Sequence, residues 1–217
     1  MTAHADFTKA FADCPLIAIL RGVLPEEVEE IGEAVLSAGI KIIEVPLNSP
    51  NAYESIRRLA VRFGSQFIVG AGTVTDVAKV MRVRDAGGRL IVCPNTDKDV
   101  IAAAVRSGLV CVPGYLTPSE AFAALAAGAH ALKLFPAEAA GPTFVKALRA
   151  VLPKSVPIIA VGGITSDAMA SWLSNGTNGF GLGSSLYKPG NSSREVAIAA
   201  RAFVQALDIM PQNNQHT

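Results

Sequence analysis

Three charged residues occupy positions where a purely structural chain would carry aliphatic side chains. Arg21 ends the run LIAILR (16–21), Glu44 interrupts KIIEVPL (41–47), and Lys133 lies inside ALKLFP (131–136). Side chains alternate across a β-strand. In ALKLF, Leu132 and Leu134 therefore face one way and Lys133 the other, and in IIEVP the pair Ile43 and Val45 opposes Glu44. An ordinary lysine amine, with a pKa of about 10.4, is protonated at neutral pH and cannot attack a carbonyl. Apolar surroundings and a nearby Arg21 cation both disfavour the charged form, which would turn Lys133 into an imine-forming nucleophile. Glu44, facing the same space, could move protons. The structural alternative is a buried Lys133–Glu44 ion pair, with Arg21 merely capping its strand. Such a pair is a poor stabiliser, because removing each ion from water offsets their attraction. Lys41 also breaks the apolar pattern, but only at the start of its run, where the chain end of a sheet is wet.

Two glycine-rich turns supply a second kind of chemistry. Gly162 and Gly163 end PIIAVGG (157–163), and Ser184 and Ser185 end GFGLGSS (179–185). Glycines let backbone N–H groups approach phosphate oxygens, and serine hydroxyls add donors. A lone glycine pair marks only a tight turn. Two such turns after the seventh and eighth strands of a barrel fall where barrels frequently bind phosphate. Thr73, after Gly70-Ala71-Gly72, could bond a substrate carboxylate, although turn chemistry accounts for those glycines equally well. Pro94 and Pro113 at strand ends would shape a pocket wall or simply make turns. His4, His130 and His216 are scattered and no ligand-spaced cluster exists, so no metal is expected. The dinucleotide fingerprint is also missing, and no cofactor is implied.

The elements that must position these groups follow one rhythm. Eight short apolar runs begin at positions 16, 41, 67, 90, 110, 131, 157 and 179, each followed by a helix-like stretch. That alternation specifies a parallel sheet with helices outside, and eight units favour a (β/α)8 barrel, the TIM-barrel class, over a doubly wound sheet. Pro25-Glu26-Glu27, Thr75-Asp76, Thr117-Pro118-Ser119-Glu120 and Ser166-Asp167 supply helix starts. Gly39, Gly87, Gly108 and Gly128 supply helix ends. One barrel domain over 1–217 is expected, with a short N-terminal helix at 1–14 and a flexible tail at 208–217.

Composition narrows the setting. The chain has 217 residues, half of them hydrophobic, with a net charge of +1, so no global field draws it to nucleic acid or to a membrane surface. Clustered arginines (Arg57, Arg58 and Arg62; Arg82 and Arg84) read as solvated helix faces. Cys14, Cys93 and Cys111 are odd in number and widely spaced, as reduced core thiols would be. No signal peptide and no bilayer-length apolar run is visible, which places the chain in the cytoplasm.

LIAILRG, IIEVPLNSP, GAGTV, CPN, ALKLFPAE, VGGI and GLGSSLY together resemble the KDPG/KDPGal aldolases in order and spacing, from about Leu16 to Phe203. The resemblance implies a homotrimer of barrels and metal-independent cleavage of a phosphorylated 2-keto-3-deoxy sugar acid, KDPGal, to pyruvate and D-glyceraldehyde 3-phosphate. It implies Lys133 as the Schiff-base lysine and Glu44 as acid/base, with Arg21 and Thr73 at the keto-acid end. Gly162, Gly163 and Ser184 match its phosphate contacts, and Ser185 is a further candidate beside them. The gluconate-series (KDPG) members usually carry arginine where this chain has Asn48. Glu44-Val45-Pro46-Leu47-Asn48 is similar to the galactonate branch, so Asn48, with Pro94, is a specificity candidate, and a KDPG or dual-specificity enzyme is the alternative. From other classes, a phosphosugar isomerase or epimerase and a silent phosphate-binding barrel remain open.

Overall fold

Alternation sorts the strand residues into two apolar layers. Ile17, Ile19, Ile42, Ile68, Leu90, Val92, Val110, Val112, Ala131, Ile159 and Val161 form one buried cluster. Their chain neighbours Leu16, Ala18, Ile43, Val45, Leu132, Leu134, Phe180 and Leu182 form another, shared with the helices. Both faces of each strand are thus buried, as a parallel barrel requires.

The computed structural model describes residues 2–209. The strands are β1 (Leu16–Ile19), β2 (Ile42–Pro46), β3 (Ile68–Gly72), β4 (Leu90–Val92), β5 (Val110–Val112), β6 (Gly114–Tyr115), β7 (Leu132–Leu134), β8 (Ile158–Val161) and β9 (Gly179–Leu182). They pair in parallel in the order β5-β4-β3-β2-β1-β9-β8-β7-β6. The fifth expected strand is divided at Pro113, which has no N–H to give the ladder. Its carbonyl still accepts the Lys133 N–H at 2.9 Å, and the Cys111 carbonyl accepts His130 N–H at 3.0 Å. β5 and β6 are therefore one broken strand, and the eight-unit barrel closes through it.

The helices α1 (Ala3–Asp13), α2 (Val28–Ser37), α3 (Ala52–Phe63), α4 (Val77–Asp85), α5 (Lys98–Arg106) and α6 (Pro118–Ala126) precede the short α7 (Ala137–Ala140). They are followed by α8 (Pro142–Arg149), α9 (Met169–Ser174) and α10 (Ser193–Asp208). Thr117 and Glu120 make a reciprocal capping box on α6, and Asp76 caps α4 by accepting the Lys79 N–H. Two expected starts are displaced: Pro25–Glu27 forms a turn ahead of α2, and Ser166-Asp167 precedes α9 by a turn. The four expected closing glycines have φ between 73° and 102°.

α1 lies across the N-terminal mouth of the barrel. Phe7 and Ala10 enter the inner apolar cluster, Asp6 pairs with Arg89, and Asp13 meets Lys41 at 2.8 Å. With that end stoppered, only the C-terminal ends of the strands offer an entrance. Of the expected flexible tail, Asp208 is the last residue of α10, and 210–217 lie outside the described residues. All three cysteines are buried and unpaired. No described helix is long and apolar enough to cross a membrane.

Candidate active site

Inside the barrel the inward row of β2 runs Ile42, Glu44, and that of β7 runs Ala131, Lys133. Apolar residues thus fill the half nearest α1, and charged ones follow towards the open end. Glu44 is 1% exposed and Lys133 6%, so both have left water. Arg21 and Thr73 stand just beyond the last residues of β1 and β3. The same end carries Gly162-Gly163 after β8 and Ser184-Ser185 after β9, and those two strands are hydrogen-bonded neighbours. The topology therefore gathers the candidate residues on one rim.

A glycine makes room for the Glu44 carboxylate, and two others let neighbouring backbone approach the strands that carry the ionisable pair. In the strand register Glu44 stands opposite Gly70, and Lys133 opposite Gly114. A Cβ at Gly72 would overlap both carboxylate oxygens of Glu44, so glycine there is a condition for that carboxylate's position. At Gly70 a Cβ would strike the Leu90 carbonyl, and at Gly114 the Pro94 carbonyl. Pro94 thus forms wall beside the Lys133 strand through its backbone.

Among the described residues no ion pair within 4.0 Å joins Lys133 to Glu44, so the simple structural pair is not formed. Oε2 of Glu44 is buried without a hydrogen-bond partner. An orphaned carboxylate oxygen in an interior is costly and calls for a reason. Burial raises the Glu44 carboxyl from 4.5 to about 7, against the opposing pull of Lys133, Arg21 and the Gly72 N–H. Burial also lowers the Lys133 amine; Glu44 resists that change and Arg21 reinforces it. Nζ of Lys133 lies 4.6 Å from the centre of the Phe135 ring, a half-open aromatic cover. The arrangement is an amine whose neutral form is accessible, beside a carboxyl able to exchange protons near neutrality.

Thr73 has φ of 57°. A β-branched residue in the left-handed region is strained, and such strain gathers at functional sites. Here Thr73 directly follows Gly72, the glycine beneath the Glu44 carboxylate.

At the phosphate candidates, Gly162 and Gly163 have φ of 111° and 66°, conformations that favour glycine. Gly183 accepts N–H groups from Leu186 and Tyr187, so the chain turns helically at once and leaves Ser184 and Ser185 exposed at the head of the turn. Two features of this rim escape sequence reasoning. The Glu138 carboxylate from α7 lies against the glycine turn, with Oε2 2.8 Å and 2.6 Å from where a Cβ would stand on Gly162 and Gly163. Asn48 does not stand alone either: its Oδ1 accepts a hydrogen bond from Nη1 of Arg21 at 2.6 Å. Glu138 adjoins the motif ALKLFPAE, but an exposed glutamate on a four-residue helix gives no pattern to read. Among the described residues no group of three His, Cys, Asp or Glu side chains is assembled to hold a metal.

Comparison with known proteins agrees with this geometry. A "Probable 2-dehydro-3-deoxy-6-phosphogalactonate aldolase" of Rhizobium meliloti (strain 1021) is 48% identical, over 89% of this chain and 92% of its own. The "2-dehydro-3-deoxy-6-phosphogalactonate aldolase" of Escherichia coli (strain K12) is 46% identical, over 88% and 94%. A solved structure described as native KDPGal superposes with a TM-score of 0.88 at 46% identity, covering 89% of this chain and 94% of that one. The KDPG aldolase of Legionella pneumophila, solved with pyruvate captured as a covalent carbinolamine, superposes with a TM-score of 0.81 at 27% identity, covering 94% and 98%. The family model for KDPG and KHG aldolase matches residues 8–199. A barrel open at one end, a buried lysine and carboxyl inside it, and this match over most of its length agree, and the chain belongs to the KDPG and KHG aldolase family.

Proposed function

We propose that the protein is a Schiff-base aldolase that reversibly cleaves 2-dehydro-3-deoxy-6-phosphogalactonate to pyruvate and D-glyceraldehyde 3-phosphate, with Lys133 forming the imine and Glu44 moving the protons. The observation that carries this reading is the buried Lys133 amine, its basicity depressed, in one barrel with a Glu44 carboxyl raised to about 7. The galactonate-series relatives at 46–48% identity support the substrate. The covalent pyruvate adduct of the Legionella enzyme supports the intermediate.

The chemistry follows from those two groups. Neutral Lys133 attacks the C2 ketone, and loss of water from the carbinolamine leaves a protonated imine. The imine accepts the electron pair of the C3–C4 bond, while Glu44, directly or through water, takes the proton from the C4 hydroxyl. D-Glyceraldehyde 3-phosphate departs, and the enamine of pyruvate stays on Lys133. Protonation at C3 followed by hydrolysis releases pyruvate and the free amine. Arg21 and Thr73 hold the carboxylate end. Gly162, Gly163, Ser184 and Ser185 hold the phosphate, which fixes C4 relative to Lys133. Asn48, bonded to Arg21, and Pro94, in the wall beside the Lys133 strand, border the rim that the substrate enters. The family resemblance supports a homotrimer, and the reduced buried thiols suit the cytoplasm.

The test is pyruvate release from KDPGal and KDPG by one preparation with chelator present, together with borohydride trapping of pyruvate on the protein. Preference for KDPGal and a mass adduct lost in Lys133→Met are expected. Comparable rates on the two epimers would make it a dual-specificity enzyme. Full activity in Lys133→Met would refute the mechanism.

A further inference from the structure

Arg21 and Asn48 come from neighbouring strands whose ends are held in step. Ile19 stands opposite Glu44, and the Leu20 N–H bonds the Glu44 carbonyl at 3.0 Å. Beyond that point two consecutive residues of one turn grip two consecutive residues of the other. Asn48 Oδ1 accepts from Arg21 Nη1 at 2.6 Å, and the buried Ser49 Oγ accepts the Gly22 N–H at 2.9 Å. On its far side, Gly22 has φ of 83°, and a Cβ there would stand 2.7 Å from Cγ of Pro189. The backbone beneath Arg21 is thus clamped between Ser49 and Pro189, and the guanidinium is held by Asn48 alone among the described residues.

Arg21 and Asn48 are both exposed, so their hydrogen bond adds little to stability. Its chemistry suits another purpose. A guanidinium has five N–H donors, and an amide oxygen that takes one leaves a fork free for a carboxylate. The amide is neutral, so it orients the cation without cancelling its charge. The aim also matters further in, because Arg21 acts on both ionisable groups of the barrel, helping to hold Lys133 neutral and Glu44 charged.

We infer that Asn48 is a positioning residue, aiming the Arg21 guanidinium at the carboxylate of the keto acid, and not a reader of the C4 configuration. The inference rests on the Schiff-base reading of Lys133 and Arg21 given above. Pyruvate separates the two roles, because it has the carboxylate and ketone but no C4. Bound as an imine on Lys133, it loses a methyl proton to form the enamine and regains a solvent deuteron on the way back, so the enzyme exchanges its methyl hydrogens in D2O without any aldehyde.

The experiment measures that exchange by proton NMR in wild type, Asn48→Ala and Asn48→Asp, with KM and kcat separated and the unfolding midpoint recorded. In Asn48→Ala the KM for pyruvate should rise about tenfold, the worth of one hydrogen bond to a charged group, while kcat changes much less. Asn48→Asp keeps the acceptor and the size but pairs the charge, and its KM should rise at least as far. The pH at which exchange reaches half its maximum should move in Asn48→Ala, which a merely structural contact would not cause. A wild-type KM for pyruvate in either variant overturns the inference, most directly if the KDPGal to KDPG ratio shifts instead. Absence of exchange and of borohydride trapping in the wild-type protein would count against the Schiff-base reading itself.

Discussion

Replacing Glu44 with glutamine should make the protein more stable and nearly inactive, and the size of both effects follows from its burial. Glu44 is 1% exposed and titrates near 7 in the folded chain, against 4.5 when free. Because the folded pKa is raised, the folded state holds a proton that the unfolded state has released between pH 4.5 and 7. Stability therefore falls as pH rises through that window and levels off above it. A displacement from 4.5 to about 7 corresponds to about 3 kcal/mol at the plateau. Glutamine cannot ionise, so Glu44→Gln should lack this loss. The assay is urea unfolding of both proteins at pH 5 and pH 8, at one protein concentration because assembly would shift the midpoints. The variant should gain up to about 3 kcal/mol relative to wild type on passing from pH 5 to pH 8. Its pyruvate release should drop about 10²- to 10⁴-fold, the usual range for a lost proton-transfer group. An unchanged difference between the two proteins at both pH values would refute the claim that Glu44 is held against its ordinary ionisation. Retained activity would refute its role.

Three further outcomes test other parts of the rim. Thr73→Gly should relieve the positive φ and raise stability by about 1 kcal/mol, while the KM for pyruvate exchange increases; a clear loss of stability in urea would show that the threonine is not strained. Glu138→Gln removes a negative charge beside Gly162 and Gly163, so the KM for the phosphorylated substrate should fall roughly three- to tenfold in low salt and less in high salt. An unchanged KM would mean that the carboxylate does not oppose phosphate there. At the stoppered end, His130 Nδ1 accepts the Cys111 N–H at 3.1 Å, and its ring lies 4.5 Å from His4. Burial, with His4 adding to it, lowers the His130 pKa, so its stabilising neutral form is lost as pH falls through about 6.5 and below. His130→Gln should flatten that acid limb in thermal unfolding between pH 7.5 and 5; an unchanged limb would assign it elsewhere.

The strand order, the inward direction of Lys133 and Glu44 and the capping of α6 were all legible, because each rests on a local rule: period-two alternation or a four-residue cap. Other features depend on partners distant in sequence or on conformations the residue type does not favour. Pro113 reads as a strand residue, yet it divides β5 from β6 because its nitrogen has no hydrogen to donate. Pro25 and Ser166 look like helix starts, but the chain uses them in preceding turns and begins α2 and α9 later. Nothing about a threonine announces a left-handed backbone, so the strain at Thr73 had no signal. Asn48 stood out only as a departure from arginine in a resemblance. Its bond to Arg21 spans 27 residues and becomes visible only when β1 and β2 are set side by side.

The packing also explains how the barrel accommodates the Glu44 carboxylate. Near α1 the interior is filled by branched aliphatics, as in any small barrel. Towards the open end the positions opposite Glu44 and Lys133 are glycines, and Gly72 leaves the space that the Glu44 carboxylate enters. Gly70 and Gly114 instead admit the Leu90 and Pro94 carbonyls, so of these three glycines only Gly72 is fitted to an ionisable side chain. The Glu44 carboxylate therefore needs Gly72, because a Cβ there would overlap both of its oxygens. That dependence predicts that Gly72→Ala should cost activity through Glu44. Displacing a reacting group by about 1 Å can cost on the order of 10²-fold. The loss should appear in the Glu44-dependent cleavage step more than in borohydride trapping of pyruvate on Lys133. Equal losses in both would mean that the barrel end is disturbed as a whole and that the glycine serves the fold and not the carboxylate.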